Sequence, residues 1–178
     1  MRKTTKTLVA TTLAFGTLFG IGATGEVAQH TVHAATSAYY NYNGYAGQDV
    51  SFVLDKNFKN AVKAENVKFN GIKLKNTNST KNVKKYDQYF RNVSKDGKTA
   101  SLLDMKVTGH MSLAQLNKLY GKDLQKIDNG KNNTTGIYFY QPNQNGMTVW
   151  FDLNKGKVDR VVMGYSTTQQ AMKKNENI

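Results

Sequence analysis

The sequence predicts an α+β fold, an antiparallel sheet with helices on one face. Three observations carry that expectation. The stretch from Met111 to Tyr165 has the signals of one helix followed by three antiparallel strands. The stretch from Asp55 to Val107 also gives a helix and then three strands, which suggests a degenerate tandem helix–three-strand repeat. Without its first 34 residues the 178-residue chain keeps 144, enough for one domain with a real core.

The second half is the more explicit. Ser112 and Gln115 are spaced as a capping box, and Met111 and Leu116 as a hydrophobic staple. Leu113, Leu116 and Tyr120 recur at helical spacing, and Gly121 stands where a left-handed C-terminal cap belongs. After a polar loop, Ile137 to Tyr140 is β-branched and aromatic. Met147, Val149, Phe151 and Leu153 then alternate with Thr148, Trp150 and Asp152 at period two. Asn154-Lys155-Gly156 turns the chain into a return strand from Val158 to Tyr165, and a last helical turn is expected around Gln169 to Lys174.

In the first half, Tyr39, Tyr40, Tyr42 and Tyr45 fit an edge strand whose rings cover the core, with a platform for stacking bases as the alternative. Val50 to Leu54 suits a short strand. Asp55 or Asn57 then caps a short helix with Phe58, Ala61 and Val62 on its apolar side. Val67 to Phe69 and Ile72 to Lys75 alternate in opposite phase, so Asn70-Gly71 must be a tight turn or a glycine bulge. Asn76 to Asn82 is a polar loop. Val83 to Val93 reads as one strand and Lys95-Asp96-Gly97-Lys98 as a hairpin turn. Thr99 to Val107 is the partner strand, with Ser101, Leu103, Met105 and Val107 on one face.

Arg2, Lys3 and Lys6 precede an apolar run from Leu8 to Ile21, and Val32-His33-Ala34 satisfies the small-x-small rule for signal peptidase. Residues 1–34 are therefore expected to be a signal peptide, and residues 35–178 a single secreted α+β domain, free or loosely held at the cell surface. No later run is long and apolar enough to span a membrane, and no Leu-Pro-x-Thr-Gly wall-sorting signal occurs. The absence of cysteine leaves the fold to its packed core.

Charge is the clearest functional signal. The chain carries 25 basic and 12 acidic residues, a net +13. Lys56, Lys59, Lys63, Lys68, Lys73, Lys75, Lys81, Lys84 and Lys85 fall in one window that only Glu65 opposes. Such a surface suits a polyanion, and nucleic acid, teichoic acid and sulfated glycans all satisfy the requirement. Solvation and protection of strand edges are the plainer uses of the same lysines. Tyr86, Tyr89 and Phe90 among them favour nucleic acid, because rings stack on bases. Arg91 is expected to join the phosphate contacts. With only Arg91 and Arg160 beyond the leader, bidentate reading of guanine is not indicated, and contact without sequence preference is.

Catalysis is not indicated. His110 is the single histidine after the leader, and no zinc spacing, phosphate loop or nucleophile elbow occurs. His110 and Asp104 could pair, but a surface histidine before a helix is ordinary. No cofactor is expected.

Four strings together resemble the immunodominant staphylococcal antigen B family. They are Tyr39 to Tyr45, Leu54-Asp55-Lys56-Asn57-Phe58, Asn66 to Leu74, and Leu119-Tyr120-Gly121-Lys122-Asp123-Leu124. The resemblance spans nearly all of residues 35–178. It implies a secreted or loosely surface-associated protein, nucleic-acid binding without sequence preference, and a role in host interaction. It supplies no motif for the contacting residues, so the candidates stay with the charge: the nine lysines named above, Arg91 and Tyr86. The helix-and-three-strands unit is also similar in architecture to β-lactamase inhibitory proteins and small outer-membrane assembly lipoproteins. That likeness implies a competing function, a secreted protein-binding module of inhibitor or adhesin type that uses its sheet face. A binder of anionic wall polymer is the third reading.

Overall fold

The computed structural model describes residues 37–127 and 133–173. The expected signal peptide lies outside them. Strand β1 (Tyr40–Tyr42) leads through a 3-10 turn at Val50–Leu54 to helix α1 (Lys56–Lys63). Strands β2 (Val67–Phe69), β3 (Ile72–Leu74), β4 (Val83–Lys85), β5 (Gln88–Val93) and β6 (Thr99–Lys106) follow. Helix α2 (Leu113–Tyr120) precedes β7 (Leu124–Ile127), β8 (Gly136–Tyr140), β9 (Thr148–Asn154) and β10 (Lys157–Gly164), and α3 (Thr168–Met172) comes last.

The ten strands make one sheet in the order β1-β2-β3-β6-β10-β9-β8-β7, with the β4–β5 hairpin joined to β6 through β5. Strand β6 is the junction: it pairs with β3 at Thr99 and Ala100, with β10 from Leu102 to Lys106, and with β5 along most of its length. The sheet is mixed, not purely antiparallel. β1 runs parallel to β2 and β3 parallel to β6. Parallel neighbours need a crossover between them, and the chain supplies one each time: the 3-10 turn and α1 for the first pair, the β4–β5 hairpin for the second.

Local signals formed the expected elements where they were strong. The Ser112 hydroxyl accepts the Gln115 N–H, and the Gln115 side chain accepts the Ser112 N–H at 2.9 Å. The Asp55 carboxylate accepts the Asn57 N–H at 2.8 Å and starts α1. Asn70 and Gly71, at φ 49° and 82°, make the tight β2–β3 turn that returns Ile72 and Leu74 to the face of Val67 and Phe69. Gly121 ends α2 with positive φ, though its ψ of −129° lies outside the left-handed helical well.

Several further expectations are corrected. Val50–Leu54 is a 3-10 turn capped by Asp49, and its successive Phe52 and Val53 are both buried, which a one-faced strand does not allow. Val83 to Val93 is two strands around a turn at Tyr86-Asp87, with Tyr86 at φ 56°. β7 occupies part of the stretch read as a polar loop. The second unit is thus a helix with four strands and the first a helix with five, so no tandem repeat emerges.

Helices also occupy both faces. Val149, Phe151, Val161 and Met163 point into the main core with Phe58 and Val62 of α1 and Leu116 and Tyr120 of α2. The alternate residues Trp150 and Val162 point the other way and pack with Leu102, Ala171 and Met172, so α3 covers the reverse face. Ser101 does not line up with Leu103 and Met105. Ala100 belongs to the main core and Leu102 to the reverse cluster, so the strand changes its inward side at Ser101.

A buried ionic triad locks α3 down. Asp104 on β6 is fully buried and accepts from Arg160 (Nε to Oδ1, 2.8 Å) and from Arg91 (Nη2 to Oδ2, 3.3 Å). Other guanidinium donors reach the α3 end: Arg91 to the carbonyls of Gln170 (3.0 Å) and Ala171 (2.6 Å), Arg160 to those of Met172 (3.1 Å) and Lys173 (3.2 Å), while the buried Arg91 Nε has no partner among the described residues. Those carbonyls have no partner inside so short a helix, and cations suit its negative end. Burial lowers the Arg91 guanidinium from its ordinary value, Asp104 opposes that shift, and Arg160 adds to it.

The buried Tyr120 hydroxyl donates to the Val53 carbonyl at 2.6 Å, and burial raises its pKa well above the ordinary tyrosine value. The folded group stays protonated where the unfolded one ionises. Its contribution is therefore complete below about pH 10 and is lost as pH rises beyond that, at about 1.4 kcal/mol per unit. Urea midpoints between neutral pH and about pH 11 should fall only above about 10, with tyrosinate absorbance from Tyr120 appearing together with unfolding. A flat profile would contradict the buried, bonded hydroxyl.

Candidate nucleic-acid interface

The lysine-rich window divides between two surfaces. α1 packs on the core side of the sheet, so Lys56 and Lys63 project beyond it. Lys68 and Lys73 sit opposite one another across β2–β3, on the side away from Val67, Phe69, Ile72 and Leu74. The Lys75 N–H continues the ladder to the Ala100 carbonyl, which puts Lys75 on the same side as Lys73. Lysines of α1 and of these strands therefore do not share one face.

Some predicted contacts have other work. The Lys59 ammonium donates to Asp123 (2.9 Å) and to the Leu119 carbonyl (3.3 Å) and lies over the Tyr120 and Tyr140 rings at 5.5 and 5.4 Å. It ties α1 to α2. Lys85 donates to the Asn70 carbonyl at 2.9 Å and braces the β2–β3 turn. Arg91 is held by the triad and leaves the set of phosphate contacts. Lys81 is exposed just before β4. The tyrosines of β1 follow the edge-strand reading: Tyr40 and Tyr42 pack on Phe52, Phe58 and Phe69.

Lys84 is in a different setting. It pairs across the hairpin with Tyr89, and both line a cleft of about 330 Å³ with Tyr45 and Lys106. Asp87 builds this cleft. Its carboxylate accepts the N–H groups of Ala46 (3.0 Å) and Gly47 (2.7 Å), pinning that loop to the β4–β5 turn. Gly47 lies so close to β6 that a Cβ would collide with the Lys106 carbonyl oxygen, so only glycine fits. The clamp brings Tyr45 against Tyr86, ring centres 5.0 Å apart at 74°. Both rings remain about half exposed, at 55% and 52%. A half-exposed ring pair next to a cleft lined by two lysines has the residue types that stacking and phosphate contact require, and Asp87 spends much of its charge on backbone donors.

Sequence reasoning found Tyr86 and Lys84 but missed Lys106 and the pairing with Tyr45. Lys106 stands 21 positions after Lys85, outside the lysine window. The β5–β6 pairing, with Gln88 opposite Met105, brings it beside Asp87, and the close approach of Gly47 brings Tyr45 to the same place.

The family model for immunodominant staphylococcal antigen B matches residues 39–163. The chain belongs to the immunodominant staphylococcal antigen B family. Proteins of that name from Staphylococcus aureus strains USA300, COL and MW2 are 46% identical over 170 residues, covering 93% of this chain and 97% of each relative. No solved structure matches the chain. The family model spans β1 to β10, so the cleft, the triad and the lysine row of this antigen B family member all lie within the matched region.

Proposed function

We propose that this protein acts outside the cell, in host interaction, as a non-enzymatic binder of nucleic acid without sequence preference. The observation that carries the reading is the cleft lined by Lys84, Lys106, Tyr45 and Tyr89, with the half-exposed Tyr86 packed against Tyr45. The ammonium groups neutralise phosphates and the rings stack on any base, so neither contact reads sequence. Lys68, Lys73 and Lys75 supply a further basic row on the sheet. The antigen name of the relatives supports exposure to a host. No helix among the described residues is long and apolar enough to cross a membrane. The family is named for antigenicity and not for a reaction, and the described residues hold no cluster of metal-ligating side chains.

The test is the double variant Tyr45→Ala/Tyr86→Ala with a labelled single-stranded oligonucleotide. Loss of stacking is worth about 1–3 kcal/mol per base, so affinity should fall at least about tenfold while the salt slope stays unchanged. Binding equal to that of the parent protein would remove the cleft from the interface. Displacement of the oligonucleotide by teichoic acid at equal phosphate concentration would show attraction to phosphate alone.

A further inference from the structure

The reverse face of the sheet carries a second concavity, beside the segment leading into α3, of about 810 Å³. Its chemistry is the opposite of the first. In a chain of net charge +13, no lysine, aspartate or glutamate lines it. Its one charged lining residue, Arg91, is spent on Asp104 and the α3 carbonyls. The walls are amides and hydroxyls. The side chains of Asn76, Asn92, Gln141 and Asn145 make no hydrogen bond among the described residues, and Asn76, Gln141 and Asn145 are exposed at the rim. Phe139 and Tyr165 contribute aromatic surface to the lining, and Trp150 lies beneath them, 2% exposed, with its indole N–H held by the Thr168 hydroxyl at 3.0 Å.

We infer that this groove is a binding site for an uncharged oligosaccharide, separate from the basic cleft. A phosphate chain would find no cation to neutralise it there. An apolar ligand would leave four amides desolvated and unpaired. A sugar satisfies both conditions. Each hydroxyl donates and accepts, as each carboxamide does, and the C–H face of a pyranose ring suits the aromatic lining. The volume is within the range of small-molecule sites.

Trp150 is the only tryptophan in the chain and lies directly under this groove, so its emission responds to changes there. The full chain would be titrated with maltohexaose, cellohexaose and fully N-acetylated chitohexaose by tryptophan fluorescence and, in parallel, by calorimetry. At least one sugar is expected to give a saturable response with the same affinity at low and high salt. Asn76→Ala/Gln141→Ala should weaken that response about tenfold, the worth of two hydrogen bonds, at unchanged melting temperature. Duplex DNA should leave Trp150 emission unchanged. No saturable heat and no emission change with any of the three sugars would overturn the inference, as would a response of equal affinity in the double variant.

Discussion

Replacing Asp104 with alanine is expected to cost about 3–5 kcal/mol of folding stability, a large part of what a domain of this size possesses. The carboxylate is fully buried and is the common acceptor of Arg91 and Arg160. Without it two guanidinium groups face one another with no counter-charge, and burial already opposes the charged form of Arg91. The loss spreads to α3, because the same two arginines hold the carbonyls from Gln170 to Lys173. Urea denaturation of the variant should show a midpoint far below that of the parent protein, and cleavage near Ser166 should accelerate. An apolar replacement of all three residues (Arg91→Met, Asp104→Leu and Arg160→Met) should recover much of the loss, since the penalty arises from unpaired charge and not from missing attraction. A loss below about 1 kcal/mol for Asp104→Ala would mean that the triad is hydrated, as surface pairs are.

Charge reversal at Lys84 and Lys106 should have the largest effect on binding. Both lysines line the cleft with Tyr45, against which Tyr86 packs. Lys84→Glu with Lys106→Glu removes two cations and places two carboxylates beside Asp87, against the incoming phosphates. At low salt an affinity loss of about a hundredfold is expected, and the log–log salt slope on duplex DNA should shrink by about 0.9 for each contact removed. Both side chains are exposed, so the melting temperature should barely move. The matched control is Lys56→Glu with Lys63→Glu, on the far side of the core, which should cost far less. Equal losses in the two pairs would mean that net charge, and not this cleft, governs binding.

The contrast between those pairs shows what the sequence could and could not disclose. Elements whose signals are local were legible: the capping box at Ser112 and Gln115, the Asn70-Gly71 turn, and the period-two run of β9. Elements that depend on distant partners were not. The β4–β5 turn at Tyr86-Asp87 has no glycine, and its geometry depends on Asp87 reaching the loop at Ala46 and Gly47. β7, Leu-Gln-Lys-Ile, is too short to announce itself, and its pairing with β8 makes it a strand. Arg91 looked like a surface cation because nothing near it in sequence announces Asp104, Arg160 or the end of α3. The lysine count was plain in the sequence, but its division between two sides of the sheet follows from β2 and β3 burying Val67, Phe69, Ile72 and Leu74. Lys106 entered the candidate site through the β5–β6 pairing, and Tyr45 through the close approach permitted at Gly47.

The central claim is binding to nucleic acid through phosphates and stacking, without regard to sequence. Fluorescence anisotropy of the chain from residue 35 onward, with two labelled duplexes of unrelated sequence over a series of salt concentrations, tests it most directly. The expected result is equal affinity for both duplexes and a linear fall of log affinity with log salt, at about 0.9 per phosphate contact. No binding even at the lowest salt, or affinities that differ between the two sequences and ignore salt, would contradict it.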